Sequence, residues 1–472
     1  MNNPHRLAPD APRGFGGIAL DRSAKLSFRL NGRTIEGYGG DTVLTALLAS
    51  GVTSIGRFAD SPLALSDRLA PLVAGKGGEF LPSDRLPARD GLELTTPGYR
   101  PTLLRRGGLL DGTVDGIPEP PWLRSKPERT VAADLLVVGG GVAGLAAAEA
   151  AASAGSTVVL VERRPWLGGD ARYFGPVGDE PSPDAVTTDL LARLGALPNV
   201  TTFTHAEVFA LAGTLAHFHH ISDGRGAVVA VNARRLVLAT GSTQRLPVFT
   251  GNRLPGVVSA MSAYHLAKRY GVAIGRSAIV ATGSNYGYRL ALRFHDAGVR
   301  IERIVDTRVN PQSRFVDFAK ASGLKLAGGQ LPLSASLDRA GKLEVTLADM
   351  GSTPGSAPLA TESLIVSGPF QPDLTLWLQA GGATQWSNGK LVAYGAVEDV
   401  AVAGAAANFR SLKACLASGR DAVAALFGRE RIAVEDTEIG APYETPEVPV
   451  SIAPPTAGAP AFLDGGLSLI VR

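Results

Sequence analysis

The chain has 472 residues, a formal net charge of +3 at pH 7 and 45% hydrophobic residues. This length predicts two or three domains that each bury a core of their own, and the small net charge does not support nucleic-acid binding. The single cysteine, Cys415, excludes an internal disulfide and a CxxC redox pair, and it predicts that the protein carries no iron–sulfur cluster and no cysteine-ligated zinc.

The first residues predict neither a signal peptide nor a folded element. Residues 1–6 lack an apolar core, which predicts a cytoplasmic protein, and residues 1–24 are rich in Pro, Gly and Arg without periodicity, which predicts a mobile arm. The apolar stretch 135–161 is long enough to resemble a transmembrane helix. Its glycines and Glu149 favour a strand, turn and helix instead, so we predict no membrane span.

Residues 25–55 predict a small β-grasp module of the ferredoxin-like type. Apolar residues alternate from 26 to 30, a hairpin-turn dipeptide follows at 31–32, and Asp41 is placed to cap a helix. The loop after that helix contains no cysteine. We therefore expect the module to act as a scaffold or an interface, and the Pro- and Gly-rich residues 56–130 predict an irregular linker behind it.

A dinucleotide-binding turn is predicted directly after this linker. The run 134–138, which is apolar after Asp134, predicts a buried parallel strand, and it leads into a GxGxxG pattern that opens an Ala-rich helix. In this pattern Gly139 permits a tight turn, Gly141 lets the backbone approach a pyrophosphate, and Gly144 lets the helix pack closely on its strand. The next strand ends at Glu162, about 20 residues further on, where its carboxylate can accept a hydrogen bond from a ribose 2′-hydroxyl.

Other short signals extend this candidate site. The carboxylate favours FAD or NAD over NADP because it would repel a 2′-phosphate, although Arg163 beside it weakens that argument. A Gly-Gly pair follows and is either a backbone turn beside a pyrophosphate or an ordinary turn. The whole unit could also be a vestigial Rossmann unit without a ligand. The predicted cofactor-binding residues are Gly139, Gly141, Val142, Ala143, Gly144, Glu162, Arg163, Gly168, Gly169, Val208, Ala239, Thr240, Gly241, Gly404 and Ala405.

A second nucleotide-type unit is predicted between 277 and 306. Its loop reads G-x-x-x-G, and Asn285 and Tyr286 stand where small residues would admit a pyrophosphate, so both nucleotide binding and a purely structural role remain open. The predicted segments are a mobile arm at 1–24, a β-grasp module at 25–55, a linker at 56–130, the FAD/NAD-binding domain at 131–250, a second nucleotide-type domain at 251–366, the return of the first domain at 367–430, and a Pro-rich tail at 431–472.

The remaining polar features predict no catalytic or metal site. Alternation along one strand places His217 and His219 on one face and His220 on the other, and we interpret this strand as solvent-exposed. Cys415 lies in an Ala-rich helix and is predicted to be a core residue and not a nucleophile. The sequence contains no Ser-His-Asp order, nucleophile elbow or P-loop, so it identifies no catalytic residue.

The order of these elements resembles the α subunits of heteromeric sarcosine oxidases. Their relatives include subunits of dye-linked proline and hydroxyproline dehydrogenases and of opine oxidases. The resemblance is carried by the module, the GGGVAGL turn, the Ala-Thr-Gly strand end, the degenerate second unit and the AGAAA strand end. Particular matches are GGDTVLTALLASGV at 39–52, HDAGV at 295–299, VDTR at 305–308 and Gly404 with the two alanines after it.

This resemblance implies an α/β fold with two dinucleotide-binding domains, as in glutathione reductase, preceded by the β-grasp module. It also implies FAD or NAD at the first site, amine oxidation on a separate flavin-bearing β subunit, and in some members FMN at the interface between the subunits. The chain departs from longer relatives because it ends where an aminomethyltransferase-like domain would begin. Gly404-Ala405 also replaces a Gly-Asp pair that often holds the flavin ribityl chain.

The predicted function is the nucleotide-binding alpha subunit of a heteromeric flavin-dependent oxidase or dehydrogenase of secondary amines or imino acids. One alternative is a self-sufficient FAD-dependent NAD(P)H oxidoreductase, against which stand the degenerate second loop and the missing Gly-Asp pair. Another is a structural subunit whose bound nucleotide never changes redox state.

Overall fold

The computed structural model describes residues 3–471 except 59–60, 67–69, 76, 98, 100–111, 114–119, 172–180, 351–354, 438–439 and 463–469. The chain divides into two compact units. The first unit comprises Met1–Glu119, Gln244–Pro369 and Pro442–Arg472, and the second comprises Pro120–Thr243 and Phe370–Ala441. Each unit is therefore assembled from stretches that are far apart in the sequence. Residues 100–111 and 114–119 of the predicted linker lie outside the described residues.

The first unit begins with the predicted β-grasp module. Strands β1 (Asp21–Leu30) and β2 (Arg33–Gly39) form an antiparallel hairpin, and helix α1 (Val43–Ala49) follows. Short strands β3 to β8 are then found at Gly56–Phe58, Ser61–Pro62, Leu72–Ala74, Phe80–Pro82, Glu93–Leu94 and Gly112–Thr113. Strand β7 pairs parallel to β1, so the module extends well beyond residue 55, where the sequence predicts its end. A two-residue strand has no alternation from which it could be predicted.

The start of α1 and the N-terminal segment differ from the sequence expectations. The cap of α1 is Thr42, which forms a capping box with Thr45, whereas Asp41 is buried and accepts a hydrogen bond from Arg6 at 2.8 Å. In the segment predicted to be a mobile arm, the Phe15 ring is fully buried and lies 5.4 Å from the ring of Phe294. The lack of hydrophobic periodicity in residues 1–24 indicates only that they form no regular helix or strand. It does not reveal tertiary contacts such as these.

The second unit is built on a seven-stranded sheet. Its first elements are the strands β9 (Arg129–Val138), β10 (Val158–Val161), β11 (Val200–Phe203), β12 (Ala206–Ala212), β13 (Leu215–Ser222) and β14 (Arg225–Leu238), with helices α2 (Val142–Ala152) and α3 (Pro183–Gly195) between them. Strand β15 (Ser242–Gln244) follows outside this sheet, where the chain passes into the first unit. The strand order is β11-β10-β9-β14-β13-β12. Strands β9, β10, β11 and β14 run parallel, whereas β12, β13 and β14 form an antiparallel meander.

Each face of this sheet has its own core. Helix α2 is Ala-rich, which favours a helix and lets it approach the strands closely, and Leu145 and Leu190 pack with the strand residues on that face. Phe218 and Trp377 belong to the core on the opposite face. Because the central strands are covered on both faces, they read as continuous apolar runs, as the sequence predicts for the strand before Gly139.

The histidine-bearing strand is not solvent-exposed, and that expectation was wrong. His219 is 2% exposed and stacks on the ring of Trp122 at 4.0 Å, while His220 lies edge-on to Phe203 at 5.3 Å. These aromatic partners come from other elements of the unit, which alternation along one strand does not report. Within the described residues, no group of three or more His, Cys, Asp or Glu side chains is placed to hold a metal ion.

The first unit continues with a second parallel sheet, which contains the predicted βαβ unit. The strands are β16 (Val257–Ser259), β17 (Ser277–Thr282), β18 (Arg300–Asp306), β19 (Leu326–Gly328), β20 (Gln330–Leu337), β21 (Leu343–Asp349), β22 (Leu359–Thr361) and β23 (Ser363–Val366), and the helices are α4 (Ala260–Tyr270), α5 (Asn285–Asp296) and α6 (Arg314–Ala321). The parallel order is β16-β23-β17-β18-β19, and β20, β21 and β22 form a separate antiparallel sheet.

The chain then returns to the second unit. Its elements there are β24 (Phe370–Pro372), α7 (Thr375–Gln379), β25 (Ala383–Ser387), β26 (Lys390–Tyr394), β27 (Val400–Val402) and α8 (Leu412–Leu426), with a short 3-10 helix at Gly404–Ala407. The last two strands, β28 (Ala461–Phe462) and β29 (Ile470–Val471), belong to the first unit. Strand β27 pairs parallel to β14, and α8 packs against α2. In the part of the chain that the structure describes, no helix has both the length and the apolar composition to cross a membrane.

Candidate dinucleotide-binding site

The turn between β9 and α2 has the shape that the glycine pattern predicts. Gly139 has φ of +105°, a backbone conformation that residues with a Cβ rarely adopt. A Cβ at this position would lie 2.1 Å from the carbonyl oxygen of Ala239, at the end of the neighbouring strand. The predicted Ala-Thr-Gly strand end is therefore packed directly against the turn, and only glycine fits between them.

The first turn of helix α2 packs so closely against the preceding turn and against helix α8 that only glycine fits at the contact positions. A Cβ on Gly144 would lie 1.9 Å from the carbonyl oxygen of Gly139. On another side, a Cβ on Gly419 of α8 would lie 2.1 Å from the carbonyl oxygen of Ala143. Gly144 and Gly419, which are far apart in the sequence, thus allow the close packing of the first turn of α2.

The N-terminus of α2 is the part of the turn that stays open. Gly141 occupies the cap position, and no side chain in the described residues caps the helix. Beyond its chain neighbours, a Cβ on Gly141 would meet only the Cα of Gly169, at 3.9 Å. The first amide groups of a helix have no partner within the helix and carry the positive end of its dipole, so this opening suits a phosphate group.

The predicted Gly-Gly pair belongs to the same site. The N–H of Gly168 donates to the carbonyl oxygen of Gly140 at 2.7 Å, and Gly141 and Gly168 form a parallel β-bridge. Gly168 has φ of +106°, and a Cβ there would lie 2.6 Å from a methyl carbon of Thr187. The pair is therefore a built part of the glycine turn and not an independent surface loop.

Glu162 directly follows β10, and its carboxylate lies beside the glycine turn. Its Oε2 accepts the N–H of Gly140 at 2.6 Å, and its Oε1 accepts the N–H of Arg164 at 2.7 Å. The residue is 9% exposed, and burial raises the pKa of its carboxyl group, while the nearby Arg164 opposes that rise. Each carboxylate oxygen can accept more than one hydrogen bond, so both remain able to accept a ribose hydroxyl.

The raised pKa of Glu162 predicts a pH dependence of nucleotide binding. Only the ionised carboxylate accepts at both oxygens, so nucleotide affinity should fall as the pH drops through the raised pKa. The fall should begin at a higher pH than an ordinary glutamate would give. Dissociation constants measured between pH 4 and 8 for the wild type and for Glu162→Gln test this. A wild-type profile as flat as that of the amide variant would contradict the prediction.

The other predicted residues are placed as follows. The Nε of Arg163 lies 3.2 Å from an oxygen of Glu207, and both side chains are 39% exposed. Val208 is half-buried on β12 and packs against the core that contains Phe218 and Trp377. The hydroxyl of Thr240 donates to the carbonyl oxygen of Asp373 at 2.7 Å, and a Cβ on Gly241 would meet no described atom within 4 Å.

Gly404 and Ala405 are the late-chain members of the predicted set. The N–H of Gly404 donates to the hydroxyl oxygen of Ser418 at 3.0 Å, and a Cβ on Gly404 would lie 2.6 Å from the Cβ of Ala143. The structure thus brings Gly404 against the first turn of α2. Ala405 is half-buried and offers a methyl group where a carboxylate would hold a ribityl chain.

Sequence reasoning missed three residues that shape the site. Gly140 donates its N–H to Glu162, Ser418 accepts the N–H of Gly404, and Gly419 allows the close approach to Ala143. A signal for Gly419 was present, since an isolated glycine inside a helical pattern often marks close packing. Gly140 had no signal, because the fingerprint leaves its position unspecified.

Cys415 has the predicted role of a core residue. It is 9% exposed on α8, and burial raises the pKa of its thiol to about 12. The group therefore stays protonated at neutral pH, and a protonated thiol is a poor nucleophile.

Two family models match parts of the chain. Residues 133–324 match a model described as pyridine nucleotide-disulphide oxidoreductase, and residues 23–98 match a model described as a 2Fe-2S iron-sulfur cluster binding domain. The first match covers the glycine turn and the second βαβ unit. The second match covers the β-grasp module up to and beyond strand β7.

Known proteins with similar sequences include subunits of two oxidases. The chain is 29% identical to the alpha subunit of sarcosine oxidase from Rhizobium meliloti, over 85% of this chain and 45% of that protein. The chain is a homologue of the sarcosine oxidase alpha subunits. An opine oxidase subunit of Agrobacterium tumefaciens is 29% identical over 38% of this chain and 37% of its own length. The chain thus spans less than half the length of these relatives.

The fold is shared with a solved oxidoreductase. The crystal structure of L-proline dehydrogenase from P. horikoshii superimposes with a TM-score of 0.63 and 20% identity, covering 87% of this chain and 75% of that chain. The predicted fold class is therefore confirmed: two dinucleotide-binding domains of the Rossmann type preceded by a ferredoxin-like module. The predicted resemblance to the sarcosine oxidase alpha subunits is confirmed as homology.

The match at 23–98 corrects the prediction that the protein carries no iron–sulfur cluster. Residues 23–98 match a family model described as cluster-binding, and the cysteine count gave no indication of this match. Cluster irons in proteins are held mainly by cysteine thiolates, and the one cysteine of the sequence lies outside the matched residues. Residues 23–98 contain no cysteine.

Proposed function

We propose that this chain is the nucleotide-binding subunit of a heteromeric flavin-dependent oxidoreductase that acts on secondary amines or imino acids. The observation that carries the proposal is the glycine turn, with an open helix N-terminus at Gly141 and the carboxylate of Glu162 at the end of the next strand. This turn occurs in a chain that is homologous to sarcosine oxidase alpha subunits. Sarcosine, opines and proline, which the names of the relatives contain, are all secondary amines that bear a carboxylate. That shared chemistry supports the substrate class.

The residues fit an adenine dinucleotide, FAD or NAD. The amides at the start of α2 would hold the pyrophosphate, the Gly168 and Gly169 backbone would line it, and Glu162 would accept from the adenosine ribose. A flavin supplies two-electron chemistry when bound, and NAD supplies hydride transfer. The chain's own contribution is to bind and orient the nucleotide.

Several observations support amine oxidation on a partner polypeptide. The sequence has a single cysteine, and burial raises the pKa of that thiol, so the chain has no dithiol pair for electron relay. Gly404 is followed by Ala405 instead of an aspartate, which removes one contact to a flavin. The relatives are themselves named as subunits.

An anaerobic visible spectrum of the purified chain, before and after adding NADH, tests the proposal. We expect either no flavin absorbance or a flavin that stays oxidised with NADH and is reduced only when an amine and the partner polypeptide are supplied. Mass spectrometry of the released ligand would identify the nucleotide. Flavin that NADH bleaches in the isolated chain would contradict the proposal and favour a self-sufficient reductase. An NAD that stays unchanged through turnover of the assembled enzyme would favour a redox-silent structural subunit.

A further inference from the structure

A stretch of the C-terminal tail covers the loop of the second βαβ unit. The N–H of Val448 donates to the carbonyl oxygen of Gly283, in the loop between β17 and α5, at 3.1 Å. A Cβ on Gly283 would lie 2.8 Å from a methyl carbon of Val448. In a nucleotide-binding βαβ unit, the space beside such a loop glycine is where the pyrophosphate approaches the backbone. Here the chain's own valine fills that space.

Asp306, the acidic residue at the end of the second strand of this unit, already binds other side chains of the chain. Asp306 ends β18 as Glu162 follows β10, in the position that suits a ribose hydroxyl. It is fully buried and bound by Arg308, whose Nη2 lies 2.7 Å from its Oδ2, with the arginine side chain only 3% exposed. Burial raises the pKa of the Tyr288 hydroxyl, which is also hydrogen-bonded to this carboxylate. Asp306 therefore already has two partners within the chain.

Arg308 joins this buried carboxylate to the tail. Its Nη1 donates to the carbonyl oxygen of Thr445 at 2.9 Å and to the side-chain oxygen of Asn285 at 2.9 Å. Thr445 exchanges two further bonds with Gln312: its N–H donates to the Gln312 carbonyl oxygen, and its hydroxyl accepts the Gln312 N–H, both at 2.8 Å. Glu444 accepts from Asn285 at 3.2 Å. The tail is thus bonded to the loop, to the strand end and to the connection that follows.

A second attachment lies further along the tail. The N–H of Val248 donates to the carbonyl oxygen of Ser451 at 3.0 Å, and the N–H of Ala453 donates to the carbonyl oxygen of Val248 at 2.8 Å. The stretch 442–453 is therefore held by backbone hydrogen bonds on both sides of Val448. The carboxylate of Glu444 would also repel a phosphate at this loop.

We propose that residues 442–453 are an internal occupant of the second βαβ unit and exclude a dinucleotide from it. The second βαβ unit then serves as the docking surface for the chain's own tail, and the glycine turn at 139–144 is the dinucleotide site that remains open. This inference concerns a different loop from the one in the proposed function and does not depend on which nucleotide that function uses.

The substitution Val448→Gln tests the proposal, with Ile452→Gln as the matched control. A longer, uncharged polar side chain at 448 would be forced against the loop glycine and should release the tail, whereas Ile452 is 66% exposed and tolerates the same change. Equilibrium dialysis with NADH should show one additional equivalent bound per chain for Val448→Gln over the wild type and the control. Limited proteolysis should cut the tail faster in Val448→Gln alone. A released tail without additional NADH binding would overturn the proposal.

Hydrogen exchange on the wild-type protein gives an independent test that needs no variant. The amide groups of Val448 and Thr445 donate within the chain, so peptides covering 442–453 should exchange well below the rate of an unstructured chain. Exchange at the unprotected rate would show that the tail is not docked and would overturn the proposal, as would a wild-type protein that binds NADH at both units while this stretch stays protected.

Discussion

Gly144→Ala is expected to lower the free energy of unfolding by about 3 kcal/mol or more, because the new methyl group overpacks the joint between helix α2 and strand β9. The added carbon would lie 1.9 Å from the carbonyl oxygen of Gly139, which belongs to the backbone and cannot turn away as a side chain could. Relief requires α2 to move off its strand, and Gly419 of α8 blocks one direction of that movement. Urea unfolding followed by circular dichroism would measure the change.

The control for this experiment is Gly195→Ala. Gly195 ends helix α3, and a Cβ there would meet no described atom within 4 Å. Alanine at that position should leave stability unchanged or raise it by up to about 1 kcal/mol. Equal stability of the Gly144 and Gly195 variants would show that the close approach of α2 is not required for folding.

Gly141→Ala is expected to weaken nucleotide binding at least about tenfold, or about 1.4 kcal/mol, while leaving the fold intact. Gly141 has φ of −72° and ψ of 175°, which alanine adopts without strain, and the added carbon would meet only one described atom, at 3.9 Å. That carbon would project into the opening at the helix N-terminus, where the backbone must approach the phosphates. Calorimetric titration with FAD and with NAD would measure the loss.

The variants Gly144→Ala and Gly141→Ala separate the packing role of the glycine motif from its binding role, and Gly195→Ala is the control for both. Gly195→Ala should bind nucleotide as the wild type does, and Gly141→Ala should unfold at the wild-type urea concentration. Unchanged affinity in Gly141→Ala would remove the pyrophosphate from this turn and with it the basis of the proposed function. A Gly141→Ala protein that unfolds early would mean that this glycine serves packing, as Gly144 does.

Local features of the chain were predictable because they depend on neighbouring residues. The glycine spacing from 139 to 144 sets the turn, and the apolar runs before Gly139 and Glu162 set the parallel strands. The Gly-Gly pair after Glu162 was recognised for the same reason, since each glycine adopts a backbone conformation that other residues avoid. These signals remain readable without any knowledge of the partners in space.

Features that arise from distant contacts were missed or misread. The stacking of His219 on Trp122 reversed the expectation of an exposed strand, and the two-residue strand β7 extended the first module beyond its predicted end. The match to a cluster-binding family corrected an inference that rested on counting cysteines. For His219 and for the first module, the decisive partner lies outside the stretch of sequence that suggested the interpretation.

The sequence by itself determined that the chain contains one complete dinucleotide fingerprint and a second, degenerate one, because strand, turn and helix preferences are local and the glycine positions are steric requirements. Only the tertiary structure decided what occupies the degenerate unit. Arg308 reaches Thr445 across 137 positions of the chain, and Val448 meets Gly283. The tail has no periodic pattern, and its placement follows from hydrogen bonds and packing that form only when the folded unit brings these distant residues together.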